Sequence, residues 1–425
     1  MIVSAIVTLV VVLAVFIIFS SVLKVPPALS LIVSAIAGSL VGGVGLPLSR
    51  FVEGSFGFFY IIMVFGSGMI LVKVMSEIGF MGSVQRLVLI RFGRQRIVLL
   101  LSIMFLLMLP GMLTGIGAVA VVSTGAIAAP VLLRMGIPKR QTAVMISMGA
   151  ILGMIAPPIN IPLMGIGAIL AIPYEGFTLV TLILTVPLAI LFALGIGLRY
   201  AQKVELDELL REMPNKGSKD RGFLVYLPII VVIALMFFER VVPHFPHLSL
   251  PLILMLGAVM GLFSMKGRDF FRASSEALSG PSFHIIMILI GVGIVGEVVT
   301  MAGVRGLLAT FFFTLPDFLF YPSLASFPLL GSLMTVFGST FVLGFPFVLS
   351  MLPKSTIITG ASLSLIAGLS DVAPPTALSG NLAAGLVGEK TYLPILVRCL
   401  IPAIITIIWA IVVILMAPYL ARLIL

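Results

Sequence analysis

Twelve apolar stretches follow one another along the chain, near residues 2–23, 28–48, 55–75, 98–133, 141–170, 178–198, 223–242, 249–265, 283–303, 324–352, 357–387 and 394–418. No other feature restricts the fold as tightly. A helix of about 20 residues crosses the hydrocarbon core of a bilayer, and most of these stretches have that length. Within lipid the backbone must satisfy its own hydrogen bonds, which makes helices the spanning elements of such stretches. Only 9% of the 425 residues are charged and 61% are hydrophobic, whereas a soluble domain carries about 25% charged residues. The sequence predicts an all-α polytopic membrane protein.

Charge and the rare residues exclude several functions. The net charge of +10 comes from Lys and Arg in short loops between spans, where orientation in the membrane accounts for them better than contacts to nucleic acid do. The single cysteine, Cys399, permits no intrachain disulfide. His244, His247 and His284 are too scattered for a metal or catalytic centre. Asp371 and Glu297 are the carboxylates well inside spans, with Glu239 near the end of 223–242, too few for the paired polar groups of an intramembrane hydrolase, so no enzyme is expected. Ile2–Leu23 has no Lys or Arg ahead of Lys24 and is longer than a secretory signal's apolar core, so it reads as a retained first helix.

Two stretches, 98–133 and 324–352, are too long for one straight crossing and carry Gly and Pro near the middle. Read as re-entrant hairpins, with both chain termini outside, they leave twenty of the 25 Lys and Arg on the cytoplasmic side. That bias orients membrane proteins. Two full crossings in place of either hairpin give the same count. The extended hydrophilic segment Arg199–Gly222 reads as a cytoplasmic linker with a short amphipathic helix over Val204–Met213, between halves 1–198 and 223–425. Segment Ser76–Arg96 mixes Ile78, Phe80, Val84 and Leu87 with Arg86, Arg91, Arg94 and Arg96, which suits a helix lying in the interface.

The halves share a motif. Ala156-Pro157-Pro158 lies inside the span 141–170, and Ala373-Pro374-Pro375 lies inside 357–387, 217 residues later. A Pro-Pro pair removes two backbone donors and disfavours helix at the residue before it, so both helices must break in mid-span. Each half runs in the same order: a crossing, a suspected hairpin, a broken helix. By the charge count the first hairpin opens from the cytoplasm and the second from outside, which makes the halves an inverted repeat. Matching broken helices in inverted halves are the sequence mark of a transporter's midplane binding site.

These residues resemble a known family. Gly125–Pro130 leading to Arg134-Met135-Gly136, then Gly149–Pro158 with Ile161-Pro162-Leu163, and Ala373-Pro374-Pro375 are similar, in order and spacing, to the large membrane subunit of tripartite ATP-independent periplasmic (TRAP) transporters. The likeness covers nearly the whole chain. It implies an elevator-type secondary transporter in the inner membrane that imports small organic anions, such as C4-dicarboxylates, with Na+. It also implies two partners, a periplasmic substrate-binding protein and a small four-helix membrane subunit. Two positions depart from the family. The first hairpin tip reads Thr114-Gly115-Ile116-Gly117 where Ser-Gly-Ser-Ser is common, and Ala373 stands where Thr is usual. A free-standing exchanger or inorganic-anion carrier of the same superfamily is the alternative.

The candidate binding residues lie at the tips and breaks: Thr114, Gly115, Gly153, Ala156, Pro157 and Asn160 in the first half, and Ser339, Thr340, Ser370, Asp371, Ala373, Pro374, Thr376, Ser379 and Asn381 in the second. An intramembrane carboxylate is costly and marks an ion or proton path. Asp371 therefore leads, either as a ligand of the coupling ion or as a cap on amides freed by the break. Asp371, Ser370 and Thr114 are the candidate Na+ ligands, with H+ the other coupling ion and no further cofactor expected. Asn160, Ser379 and Asn381 serve equally as ligands or as interhelical contacts. The hydroxyls of Thr114, Ser339 and Thr340 serve equally as ligands or as bonds back to their own helices. Glu297 reads as a side chain snorkelling to the interface. Gly291–Gly296 match a dinucleotide fingerprint by spacing but lie inside a crossing, where glycines pack helices closely. No Walker A sequence supports ATP-driven transport.

Cysteines introduced in Arg199–Gly222 are expected to react with impermeant thiol reagents only from the cytoplasm, and those near His244 only from outside. Labelling of both regions from one side would overturn the hairpin topology.

Overall fold

The computed structural model describes residues 2–170, 172, 174, 176–201, 222–351 and 355–424. The expected linker helix over Val204–Met213 lies outside the described residues. Those residues form helices and no strand, and eight helices among them are long and apolar enough to cross a membrane. The protein is an all-α polytopic membrane protein.

The first half contains α1 (Ile2–Ile17), α2 (Pro27–Val41), α3 (Leu48–Phe56), α4 (Phe59–Glu77) and α5 (Phe80–Phe92). Then come α6 (Arg96–Thr114), α7 (Gly117–Arg134, with a wider turn over Val121–Gly125), α8 (Lys139–Ile155), α9 (Ile161–Leu170) and α10 (Phe177–Gly197). The second half contains α11 (Leu227–Val241), α12 (Leu250–Val259), α13 (Gly267–Leu278), α14 (Pro281–Met301), α15 (Val304–Thr314) and α16 (Asp317–Ser323). It ends with α17 (Ser326–Ser350), α18 (Thr356–Gly368), α19 (Leu378–Leu386), α20 (Leu393–Leu415) and α21 (Ala417–Ile424).

Contacts between helices are reciprocal across the halves. Helix α2 packs on α14 while its counterpart α12 packs on α4, and the amphipathic α3 and α13 lie on the same two partners, α14 and α4. In the core α6 packs on α8 as α17 packs on α18, and α10 covers α8 as α20 covers α18. Small residues allow the closest of these contacts. A Cβ on Gly153 of α8 would overlap the backbone of Met108 on α6, and one on Gly111 would stand 2.8 Å from the Met154 nitrogen. At the rim, Lys73 near the end of α4 bridges Glu77 and Glu276 at 3.0 Å each and ties α13 to α4.

The first long stretch folds as two helices joined at a tip. Helix α6 stops at Thr114, Gly115 turns left-handed at φ +69°, and Ile116 is extended before α7 begins. Helix α7 then returns beside α6, and each arm is long enough by itself to cross a membrane. The second long stretch differs from the hairpin expected over 324–352. Ser326–Ser350 is one continuous helix that runs through Gly338, Ser339 and Thr340 without a tip. Its glycines take ordinary helical geometry, and Thr340 donates to the Val336 carbonyl at 2.6 Å, as a hydroxyl inside a helix does. No left-handed residue ends the helix there as Gly115 ends α6. The Arg140–Glu389 salt bridge, at 3.1 Å, holds the start of α8 and the segment after α19 at one face of the molecule.

Gly153→Ala is expected to lower stability in detergent by about 1–3 kcal/mol, the usual range for forced overpacking. An unchanged thermal midpoint would show that α6 and α8 do not approach as closely as described.

Candidate substrate and ion site

Both expected breaks are present. Helix α8 ends at Ile155 and Ala156 takes an extended conformation, as a residue ahead of proline must. Pro157–Pro158 and Pro374–Pro375 are both cis. In the second half a short 3₁₀ turn over Leu369–Asp371 leads into the break, and Ala377 enters α19 in the left-handed region at φ +38°. The two breaks differ in access. The first is buried, Ala156, Pro157 and Asn160 included, whereas Pro374, Pro375, Thr376 and Asn381 of the second are exposed on the molecule.

Asn160 holds the first break together. Its Nδ2 donates to the Ile155 carbonyl at 3.1 Å and to Ser364 Oγ of α18 at 2.9 Å. Its Oδ1 accepts from the Leu163 amide at 3.0 Å, capping α9. Its own amide donates to the Tyr174 hydroxyl at 3.0 Å. The Ile159 amide reaches the Met112 carbonyl of α6 at 3.2 Å. Asn160 therefore joins the two halves through Ser364 and carries a structural load.

Side chains from other elements close the second break. Tyr392 donates to the Val372 carbonyl at 2.6 Å, Ser332 of α17 donates to the Pro374 carbonyl, and Asn381 donates to the Thr376 carbonyl at 3.1 Å. The Ala377 amide takes the Ala373 carbonyl at 3.0 Å. Asp371 accepts from Ser379 Oγ across the break and, among the described residues, forms no salt bridge. No side chain caps α19, so the geometry does not give Asp371 the capping role that the sequence left open.

The hairpin tip brings these parts together. A Cβ on Gly115 would press on Ile159 and Ile161 of the first break, and one on Gly117 would stand 2.8 Å from Asp371 Oδ2 and 2.9 Å from Ser379 Oγ. Three residues of tip thus touch both breaks. Other expected ligands are placed differently. Thr114 donates back to the Pro110 carbonyl at 2.7 Å and does not point its hydrogen elsewhere. Thr340 is likewise bonded within α17, and the side chain of Ser339 lies outside the described residues. Ser370 Oγ is buried with no hydrogen-bond partner among the described residues. With the neighbouring carboxylate it fits a hard cation, which takes oxygen ligands. Two apolar clefts flank α6, of about 420 and 220 Å³; the smaller reaches Ala156, and neither includes Asp371.

The sequence reading missed Tyr174 and Tyr392, which stand 17 and 18 residues beyond the first proline of each pair. Their recurrence after each motif was the available signal. It also missed Ser332 and Ser364, two serines among many on apolar helices.

The fold and site define a polytopic membrane protein with two interrupted helices meeting at a hairpin tip. Among solved structures the chain is similar to MtrF of Neisseria gonorrhoeae, described with a class of antimetabolite efflux pumps. The TM-score is 0.53 at 14% identity, covering 87% of this chain and 83% of that one. At that identity the likeness shows a shared fold. No family profile and no curated protein matches the sequence.

Tyr392→Phe leaves the Val372 carbonyl without its donor and is expected to cost about 1–3 kcal/mol of stability in detergent. Tyr174→Phe leaves the Asn160 amide unpaired and is expected to cost as much. Melting curves matching wild type for both variants would remove the tyrosines as staples of the breaks.

Proposed function

We propose that the protein is a secondary active transporter of small organic anions, driven by a cation gradient across the inner membrane and built like the large subunit of a TRAP system. One observation carries the reading: the Asp371 carboxylate, bonded to Ser379 at a helix break, lies against Gly117 at the hairpin tip. Asp371 and Ser370 hold the coupling cation, Na+ or H+. The exposed second break and the amino-terminal end of α19 receive the substrate carboxylate, since helix amino termini favour anions. A periplasmic binding protein and a small four-helix subunit complete the system, and both chain termini face outward.

The shared fold with MtrF supports a second reading, in which the same site exports metabolite-like solutes. Direction separates the two. The protein in liposomes, supplied with labelled C4-dicarboxylates and a Na+ or pH gradient, is expected to accumulate substrate when the gradient drives import. Gradient-driven release with no uptake would favour export, and no movement in either direction would overturn both.

Asp371→Asn keeps size and hydrogen bonding but removes the charge. Loss of a charge-assisted contact, about 1.5–3 kcal/mol, corresponds to a roughly ten- to hundredfold weaker cation affinity. Asp371→Glu is expected to fall between. Wild-type ion dependence in Asp371→Asn would remove this carboxylate from coupling.

A further inference from the structure

Helices α5 and α6 meet at a short turn, Gly93–Gln95, and diverge to leave the larger cleft, about 420 Å³. Val84 and Val88 line it from α5, and Val98, Leu101, Phe105 and Leu109 from α6; Ser102 supplies the one hydroxyl. Val98 to Leu109 spans eleven residues of helix, about 16 Å, which is half the roughly 30 Å hydrocarbon core and so the depth of one leaflet. The closed end of the wedge is cationic. Arg91, Arg94 and Arg96 are all exposed around the turn. Arg91 and Arg94 form no salt bridge among the described residues, and Arg96 gives one nitrogen to the Ala201 carbonyl at 3.2 Å. Among the described residues no carboxylate forms a salt bridge with any of the three.

We propose that this wedge binds one anionic phospholipid, with an acyl chain in the cleft and the headgroup phosphate on the arginine turn. Guanidinium forks match phosphate oxygens in geometry as well as charge, and basic clusters at a membrane surface select anionic lipids over zwitterionic ones. The apolar floor and the arginines lie at the two ends that a single lipid would present. A partner helix, about 10–12 Å across with its side chains, is too wide for a cleft of this length and volume. The occupant would brace α6, the arm that carries the hairpin tip.

The test uses the full chain in detergent micelles doped with dioleoyl phosphatidylglycerol or dioleoyl phosphatidylcholine, with bound lipid counted by native mass spectrometry. One phosphatidylglycerol is expected to stay on each chain where phosphatidylcholine does not. The combined variant Arg91→Gln, Arg94→Gln, Arg96→Gln is expected to weaken its retention by roughly a hundredfold. Ser102→Trp, which fills the cleft and leaves the charges alone, is expected to expel the lipid as well. Circular dichroism checks folding, and if the arginine variant is unfolded Ser102→Trp decides alone. Equal retention of both lipids, retention unchanged in Ser102→Trp, or displacement by millimolar inorganic phosphate would overturn the proposal. The last of these would mark a site for free anions.

Discussion

The structure depends on how two interrupted helices satisfy their backbones away from water. A proline pair in mid-span frees amides and carbonyls that cost several kcal/mol each if left unpaired in hydrocarbon. Both breaks are met by side chains, some within the break and others from distant elements. Asn160, Ser364 and Tyr174 close the first, and Tyr392, Ser332 and Asn381 close the second. Because Ser364 sits on α18 and bonds to Asn160 beyond α8, the second half supplies part of the first half's repair, while the donors to the second break come from the second half itself.

Once the breaks are repaired, the chemistry that remains is concentrated. Most hydroxyls near the site bond back to their own helices, as Thr114 and Thr340 do. The Asp371 carboxylate, held by Ser379, and the Ser370 hydroxyl, which has no partner among the described residues, are the oxygens that the helices themselves leave over. Glycine lets the hairpin tip reach them, since a side chain at position 117 would occupy the space against the carboxylate. The first break is buried and the second is exposed, so the two breaks differ in access.

Much of this was legible in the sequence. Apolar length gave the crossings, the Pro-Pro pairs located both breaks, and Gly115 ended α6 where a tip was expected. The second hairpin was misread because Gly338-Ser339-Thr340 looks like a turn in composition. Glycine permits a turn without demanding one, and packing against α18 and α9 keeps α17 helical. The staples were harder to see. Tyr174 and Tyr392 recur at offsets one residue apart, but only the folded chain shows that their hydroxyls end on backbone atoms of the breaks. Ser332 and Ser364 carry no sequence signal, because what matters is the distant helix they face.

The contact between the hairpin tip and the second break, across 254 residues of sequence, is the point on which this arrangement rests. A double-mutant cycle tests it directly. Gly117→Ala puts a methyl 2.8 Å from Asp371 Oδ2 and 2.9 Å from Ser379 Oγ, and Ser379→Gly removes one of those obstacles. Unfolding of wild type, both single variants and the double variant in one detergent gives the coupling between the two positions. Gly117→Ala should be destabilising alone and much less so beside Ser379→Gly, with a coupling of about 0.5–3 kcal/mol as for residues in contact. Additivity within about 0.5 kcal/mol, the behaviour of separated sites, would place the tip away from the break and contradict the site.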